Sequence, residues 1–440
     1  MKKTFLFFAI LFCSNISFSN TFQWVEQISG TTQTLTSVHS NSYSFVWACG
    51  YGGTVLRSTN AGVSWTNVGS NGIPTNVQLI NIVTYGSGDV ALTAGYIGAN
   101  TFVYRTSNGG ANWTQVFTQA NGFINAMYFT TTGNGFMTGD PVGGRWSLWK
   151  TSNGGVNWDS SGMYLPQIGA EAGWNNSLFG SGNNQLWFGT NNSKVYYSSN
   201  SGSNWSSQPT VGELNSYAIW FCRLGGPNDF NGFIGGSTLQ STSNSGSAWL
   251  PQVSAGTGNI GGISGGPNII TDNSAGYLAR FYIRSSSSIY LAENAGTNWS
   301  VDYTAPSGTF RYIASDYNGT HFWAVRDNGG ISYLDLPVGI EQTSTEVPET
   351  YSLSQNYPNP FNPSTNLEFG ISELGYVTLK VFNTMGVEVA TLVSENKPAG
   401  KYKVNFSANE ADRNLSSGVY YYSLSLNGKL LDTKRMMLLK

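Results

Sequence analysis

One octapeptide recurs along most of the chain, with Ser or Thr first, Asn third, Gly fifth and Trp eighth. It stands at 58–65, 106–113, 151–158, 198–205 and 242–249, and a sixth copy opens on Ala at 292–299. Its fixed residues are Asn60, Gly62 and Trp65; Asn108, Gly110 and Trp113; Asn153, Gly155 and Trp158; Asn200, Gly202 and Trp205; Asn244, Gly246 and Trp249; Asn294, Gly296 and Trp299. Successive tryptophans are 48, 45, 47, 44 and 50 residues apart, a period that suits one four-stranded blade per repeat. The octapeptide, here called the box, reads as a hairpin turn. Asn tolerates left-handed backbone and bonds nearby amides, Gly supplies positive φ, and Trp packs back over the turn as the next strand begins.

Each repeat then reads as strands a, b and c, the box, and strand d. In the third, a is expected at 123–130, b at 135–139, c at 146–151, and d from Trp158. Two partial copies flank the array. Residues 22–27 match a d strand, and 322–331 match a b strand, its turn and the start of c. Joined, they make a seventh blade in which 22–27 pair with 331–336, and closure removes the free sheet edges of an open array. The expected fold class is all-β: a seven-bladed β-propeller over 20–336, closed by strands from both ends of that span, plus a small C-terminal β-sandwich. The box resembles the Asp-box, or BNR, repeat of sialidase-like propellers, Ser-x-Asp-x-Gly-x-x-Trp, with Asn for Asp in every copy.

Composition agrees with turns and short aromatic strands. Glycine accounts for 54 of 440 residues, aromatics for 14% and charged residues for only 10%, with a net charge of −2. That charge offers no basic field for a phosphate backbone, so no nucleic-acid partner is expected. Met1-Lys2-Lys3 followed by an apolar run to Phe12 reads as a signal peptide, residues 1–19, cleaved before Asn20; no later stretch is apolar enough to span a membrane. Cleavage removes Cys13, and Cys49 and Cys222 read as two separate thiols buried in strands rather than a disulfide.

Beyond Asp335 the composition changes. Residues 337–350 read as a polar linker, and lysine rises from two in 20–336 to seven in 351–440. Alternating segments at 366–371, 377–383, 387–393, 401–406 and 419–426 predict a β-sandwich over 351–440. The run Asn356, Tyr357, Pro358, Asn359, Pro360, Phe361, Asn362, Pro363 resembles the opening of a type A sorting domain of the type IX secretion system. Gly418 and Tyr420 in the run 415–420, and Lys434 at the head of the basic, apolar end, extend the match. The resemblance implies a Gram-negative bacterium, type IX secretion machinery as partner, and export through the periplasm to the cell surface or medium.

One cluster stands out in the charge-poor array: Gly139-Asp140-Pro141, Arg145-Trp146 and Glu171 to Trp174. Strand alternation puts the b–c turns and the d–a crossings at one end of the blades, opposite the boxes, so Asp140, Arg145 and Glu171 should meet there. These segments resemble Gly-Asp-Pro and Gly-Glu-Ala stretches of photosystem assembly factor-like and BNR-repeat propellers. Two readings follow: a glycan or protein ligand site, with two carboxylates for catalysis in its strongest form, or an Asp140–Arg145 salt bridge bracing a loop.

Sialidase chemistry needs three arginines, a tyrosine nucleophile and an acid/base aspartate. Arg57 and Arg105 fall three residues before a box Asn, at the wrong end of the blade, and the Arg-Ile-Pro signature is absent. His39 and His321 have no ligands at metal spacing, and the calcium-like run at Asp272 lacks its carboxylates, so neither a metal nor a cofactor is expected. The sequence therefore favours an exported binding or scaffold module, with a secreted glycoside hydrolase as the alternative.

Overall fold

The computed structural model describes residues 24–439 apart from 43, 87, 131–132, 183, 224–229, 266–279, 293–297, 317–318, 320, 336–340, 345–347, 363 and 409–414. The signal segment, Asp272, Asn294, Gly296 and Pro363 lie outside the described residues. Residues 25–335 form seven separate antiparallel sheets. Their inner strands are Leu35–Ser40, Gln78–Tyr85, Ile124–Phe129, Gly173–Ser181, Ala218–Arg223, Ile260–Gly265 and Phe310–Ser315. Each packs against the next and the seventh packs against the first, so the ring closes as a β-propeller.

The core lies between blades. Seven apolar clusters each join two neighbouring sheets, such as Trp47, Cys49 and Val55 of the first with Leu79 and Ile82 of the second. Cys49 and Cys222 are buried, unpaired thiols in different blades.

Closure occurs where the partial copies predict it. Val25–Gln27 pairs antiparallel with Ile331–Asp335, setting Val25 opposite Tyr333 and Gln27 opposite Ile331. Glu26 accepts from Arg326, from Ser332 Oγ at 2.6 Å and from Tyr303 OH at 2.6 Å, while Trp24 Nε1 donates to Asp302 at 2.7 Å. The closing strand is thus tied to both the sixth and seventh sheets.

The box Asn bonds a nearby amide as expected, but it is not itself left-handed. The left-handed pair is the two residues after Asn, as in Ala61 and Gly62 (φ 57° and 88°) or Ser245 and Gly246 (59° and 86°). The Asn itself acts through its side-chain oxygen: Asn60 Oδ1 accepts from Ser58 Oγ at 2.9 Å and Ser64 N at 2.9 Å, and Ser58 Oγ accepts from Gly62 N at 2.7 Å. The same bonds recur around Asn108, Asn153, Asn200 and Asn244. The turn itself is built on the amide oxygen as acceptor, which is why an amide can replace a carboxylate there; in the first box Asn60 Nδ2 also donates to Ser64 Oγ at 3.0 Å.

Boxes also staple each blade to the one before it. Ala61 O accepts from Gln27 Nε2 at 2.9 Å and Trp323 Nε1 at 3.2 Å; Gly154 O from Tyr85 OH at 2.6 Å and Arg105 Nε at 2.7 Å; Ser245 O from Trp187 Nε1 and Gln208 Nε2, both at 3.0 Å. In the second box Trp113 Nε1 reaches Val68 O at 2.9 Å. The fourth box differs: Trp205 Nε1 turns back to Gly202 O at 2.9 Å, and among the described residues no side chain donates to Ser201 O.

The third blade explains the exception. Its sheet has three strands, Ile124–Phe129, Gly135–Val142 and Arg145–Thr151, and the expected d strand from Trp158 is absent. Two isolated bridges, Lys150 with Asp159 and Arg145 with Pro166, mark where it would run. Between them the chain loops out through Gly162 (φ 75°), and Met163 and Leu165 bury themselves against Phe136 and Leu148.

The C-terminal sandwich contains two four-stranded sheets. Glu341–Ser344, inside the stretch read as linker, pairs with the strand Gly400–Ser407 and so belongs to one of them. The basic end is also a strand, Lys429–Leu438, beside Gly418–Leu426. The Asn-Pro run clamps onto it. Asn356 Nδ2 donates to Thr365 Oγ1 at 2.9 Å, Asn359 Oδ1 accepts from Met437 N at 2.9 Å, and buried Phe361 exchanges backbone bonds with Met437 and Leu439.

Candidate functional site

The b–c turns and the starts of the inner strands share one end of the ring, and the segments bearing Asp140, Arg145 and Glu171 meet there. Asp140 ends the regular part of the third blade's second strand, and its backbone N bonds Phe123 O at 2.8 Å. Its Oδ1 accepts from Gly173 N at 2.8 Å and from Asn125 Nδ2 at 3.3 Å; among the described residues Oδ2 has no partner. Burial raises its pKa, and those two hydrogen bonds oppose the rise.

Arg145 does not pair with Asp140. It donates to Ser160 Oγ at 3.4 Å instead, so the salt-bridge reading of this loop is corrected. The reason lies in the turn: Val142 pairs with Arg145 across a register shift after Gly139, and Arg145 bridges Pro166 on the outer side of its strand while Asp140 faces Gly173.

Glu171 has no acceptor to spare. Its side chain is fully buried and receives Lys194 Nζ at 2.7 Å, Asn192 Nδ2 at 3.0 Å, Tyr196 OH at 3.1 Å, Ile168 N at 3.1 Å and Trp146 Nε1 at 3.3 Å. Burial alone would push its pKa up, but Lys194, Asn192, Ile168 N–H and Tyr196 outweigh it and hold the carboxyl below its usual range. A carboxylate so engaged braces the d–a crossing.

Beneath these groups the ring axis is bridged. At a bulge in the fourth inner strand, Asn176 (φ 61°) reaches to the first and second blades, its Nδ2 donating to Thr36 O and Ile80 O, both at 3.3 Å. Its Oδ1 accepts from Ser37 Oγ at 3.0 Å and Asn81 Nδ2 at 2.7 Å.

Around the axis runs an arc of aromatic side chains that the sequence reading passed over, except for Trp174. Tyr96 packs on Phe123 with ring centroids 5.1 Å apart, Phe123 O holds Asp140 N, Asp140 holds Gly173 N, and Trp174 packs on Tyr217 at 4.2 Å. All four rings are partly exposed. A usable sequence signal existed: Phe123 and Tyr217 each stand immediately before an inner strand, where a side chain faces the end of the ring.

The remaining sequence candidates are framework. Arg57 pairs with Asp89 at 2.6 Å and Arg105 serves the third box. His39 Nδ1 accepts from Thr84 N at 3.3 Å, and burial lowers its pKa to about 4. His321 has a carboxylate neighbour after all, Asp316 Oδ2 at 3.0 Å, brought close by the a–b turn. Among the described residues no three His, Cys, Asp or Glu side chains gather as a metal site would require, and no helix is long and apolar enough to cross a membrane.

Residues 355–438 match the family model of the secretion system C-terminal sorting domain. Among solved structures the chain is similar to YCF48 bound to D1 peptide, at 14% identity over 72% of this chain and 97% of that one, TM-score 0.52. It is likewise similar to YCF48 from Cyanidioschyzon merolae (16%, 71% and 98%, TM-score 0.53) and to the WD40 β-propeller domain of Doa1 (12%, 71% and 97%, TM-score 0.52). At these identities the likeness shows the propeller fold alone. No curated protein sequence matches the chain. The sorting domain marks the protein for export to the cell surface or extracellular medium.

Proposed function

We propose that this exported chain is a seven-bladed propeller of the BNR, Asp-box type that acts as a binding or scaffold module, and that the ring end bearing Asp140 holds its ligand. The sorting domain engages the type IX machinery and delivers the propeller to the surface. One observation carries the reading: Glu171 is spent on five framework donors, while its neighbour Asp140, at the centre of an aromatic arc, keeps one oxygen without a partner among the described residues. Aromatic faces beside a few placed polar groups suit binding of a glycan or a peptide. YCF48, of the same fold, has been solved with D1 peptide, which puts peptides alongside glycans in the test.

Hydrolysis is the second reading, favoured by the raised pKa of Asp140, as a general acid requires. It lacks the partner: a glycosidase needs two working carboxylates roughly 5 to 10 Å apart, and Glu171 is not available. The test is binding of the secreted chain to glycan and peptide arrays, repeated with Asp140→Ala and Trp174→Ala, then hydrolysis assays on every glycan bound. The expected result is binding lost in both variants with no turnover; turnover that vanishes in Asp140→Asn would overturn it in favour of the hydrolase.

A further inference from the structure

At the opposite end of the blades, the missing staple between the third and fourth has left a space. A cavity of about 470 Å³ opens there, bordered by Phe136 and Lys150 of the third blade, Trp158 and Asn157 of its box, and Asn184 and Ser201 of the fourth blade. Its volume lies in the range of small-molecule sites. It coincides with two irregularities: the third blade has no regular outer strand, and Ser201 O takes no side-chain donor among the described residues.

We propose that this cavity is a second binding site, for a neutral saccharide of about two rings. The lining chooses the class. Lys150 and Asp159 both border the cavity, so their charges cancel and favour neither an anion nor a cation. The side chains of Asn157 and Asn184 are exposed and make no hydrogen bond among the described residues, leaving each with two donors and an acceptor for hydroxyl groups. A wholly apolar ligand would leave those amides unpaired.

Trp158 supplies the flat apolar wall against which the C–H face of a pyranose packs. Trp65, Trp113 and Trp205 each give the indole N–H to a protein acceptor, at 3.1, 2.9 and 2.9 Å, but those of Trp158 and Trp249 are buried without one among the described residues, and of these two only Trp158 borders the cavity. No hydrogen bond pins the Trp158 ring, which packs edge-on against Phe129 with centroids 6.1 Å apart. The site uses none of the residues around Asp140, so it stands or falls separately from the proposed function.

The experiment is a ¹⁹F NMR titration of the mature chain labelled with 5-fluorotryptophan, using cellobiose, maltose, lactose and N,N′-diacetylchitobiose. The Trp158 signal is assigned by its loss in Trp158→Phe. At least one disaccharide should shift that signal saturably while the Trp174 signal stays fixed. Asn157→Ala, an exposed change that breaks no bond within the protein, should weaken the binding about tenfold with no change in the unfolding midpoint. Should Trp158→Phe fail to fold, the same loss of affinity in Asn157→Ala and in Asn184→Ala, measured by calorimetry, decides the matter. The proposal is overturned if no disaccharide moves the Trp158 signal, if both Asn variants bind like the wild type, or if a peptide fills the cavity while every sugar fails.

Discussion

The junction between the fourth and fifth blades and the junction between the third and fourth are made from the same octapeptide and both are packed with apolar side chains, yet one carries a hydrogen-bonded staple and the other a cavity in its place. At the stapled junction, Trp187 and Gln208 of the fourth blade both donate to Ser245 O of the next box. At the open one, the fourth box turns its Trp205 back on itself, and a cavity of about 470 Å³ lies alongside. The box therefore closes its own turn without help, but joining blades depends on residues outside it. In four of the d strands the third residue after the leading Trp is a docking position: Gln27, Val68 and Gln208 meet the following box, and Asp302 meets Trp24. In the third blade that position is Ser161, short and carried off into a loop.

The stapled junction should be the more fragile to core truncation. Trp187 is fully buried, with Phe221 4.4 Å and Tyr197 4.9 Å away between ring centroids, and it carries half of the staple. Trp187→Ala should cost about 3 to 5 kcal/mol in the propeller's unfolding free energy, measured by urea denaturation. A loss below about 1 kcal/mol, as at ordinary surface positions, would mean the junction does not hold the ring.

Next in size is the brace at the other end of the third and fourth blades. Glu171→Ala leaves Lys194 facing a buried space without its counter-ion, at a cost of about 3 kcal/mol. The pH dependence follows from the sign of the shift. The folded-state pKa is depressed below the ordinary 4.5 of a glutamate, so the stabilisation is complete above that value and disappears as pH falls through the lower folded one. The wild type should lose stability over that acid window, and Glu171→Gln should lose less of it; parallel pH curves for the two proteins would contradict the assignment.

Gln208→Ala is milder. Ser245 O keeps its bond from Trp187, so about 1 kcal/mol is expected, the net worth of one hydrogen bond. An equal loss from Gln27→Ala at the closing junction would show that the docking position works alike at both seams.

These contrasts also show what could be read in advance. The repeat announced the ring, and the orphan pieces at 22–27 and 322–331 announced its closure, because a d strand without a blade and a blade without a d strand have one mutual solution. The meeting of Asp140 with the segment 171–174 followed from strand alternation. What the two carboxylates do there was not legible. Glu171 draws donors from 146, 168, 192, 194 and 196, and that convergence exists only once the d–a crossing has folded over the fourth blade. Asn176 was equally hidden, since its partners lie 95 to 140 residues away across the axis. The lost d strand of the third blade was half visible: Trp158 is followed by Asp159, Ser160, Ser161 and Gly162, all turn formers, where the second and sixth repeats read Thr-Gln-Val-Phe and Ser-Val-Asp-Tyr.

The smallest predicted effect separates two causes of the open junction. If only the side chain were lacking, Ser161→Gln would restore a staple like that of Gln208 and raise stability by about 1 kcal/mol. The backbone argues otherwise. Ser161 N is bound to Asp159 Oδ1 at 2.9 Å, Met163 N closes a turn onto Ser160 O at 3.1 Å, and Gly162 holds a positive φ that a side chain resists. A glutamine at 161 therefore points along a turn rather than toward the fourth box. Ser161→Gln should leave the unfolding free energy within about 0.5 kcal/mol of the wild type and the cavity open to its ligand. A gain near 1 kcal/mol with closure of the cavity would place the cause in the side chain and make the missing strand a consequence. An unchanged protein would place the cause in the backbone of the loop at 159–163 rather than in the side chain at 161.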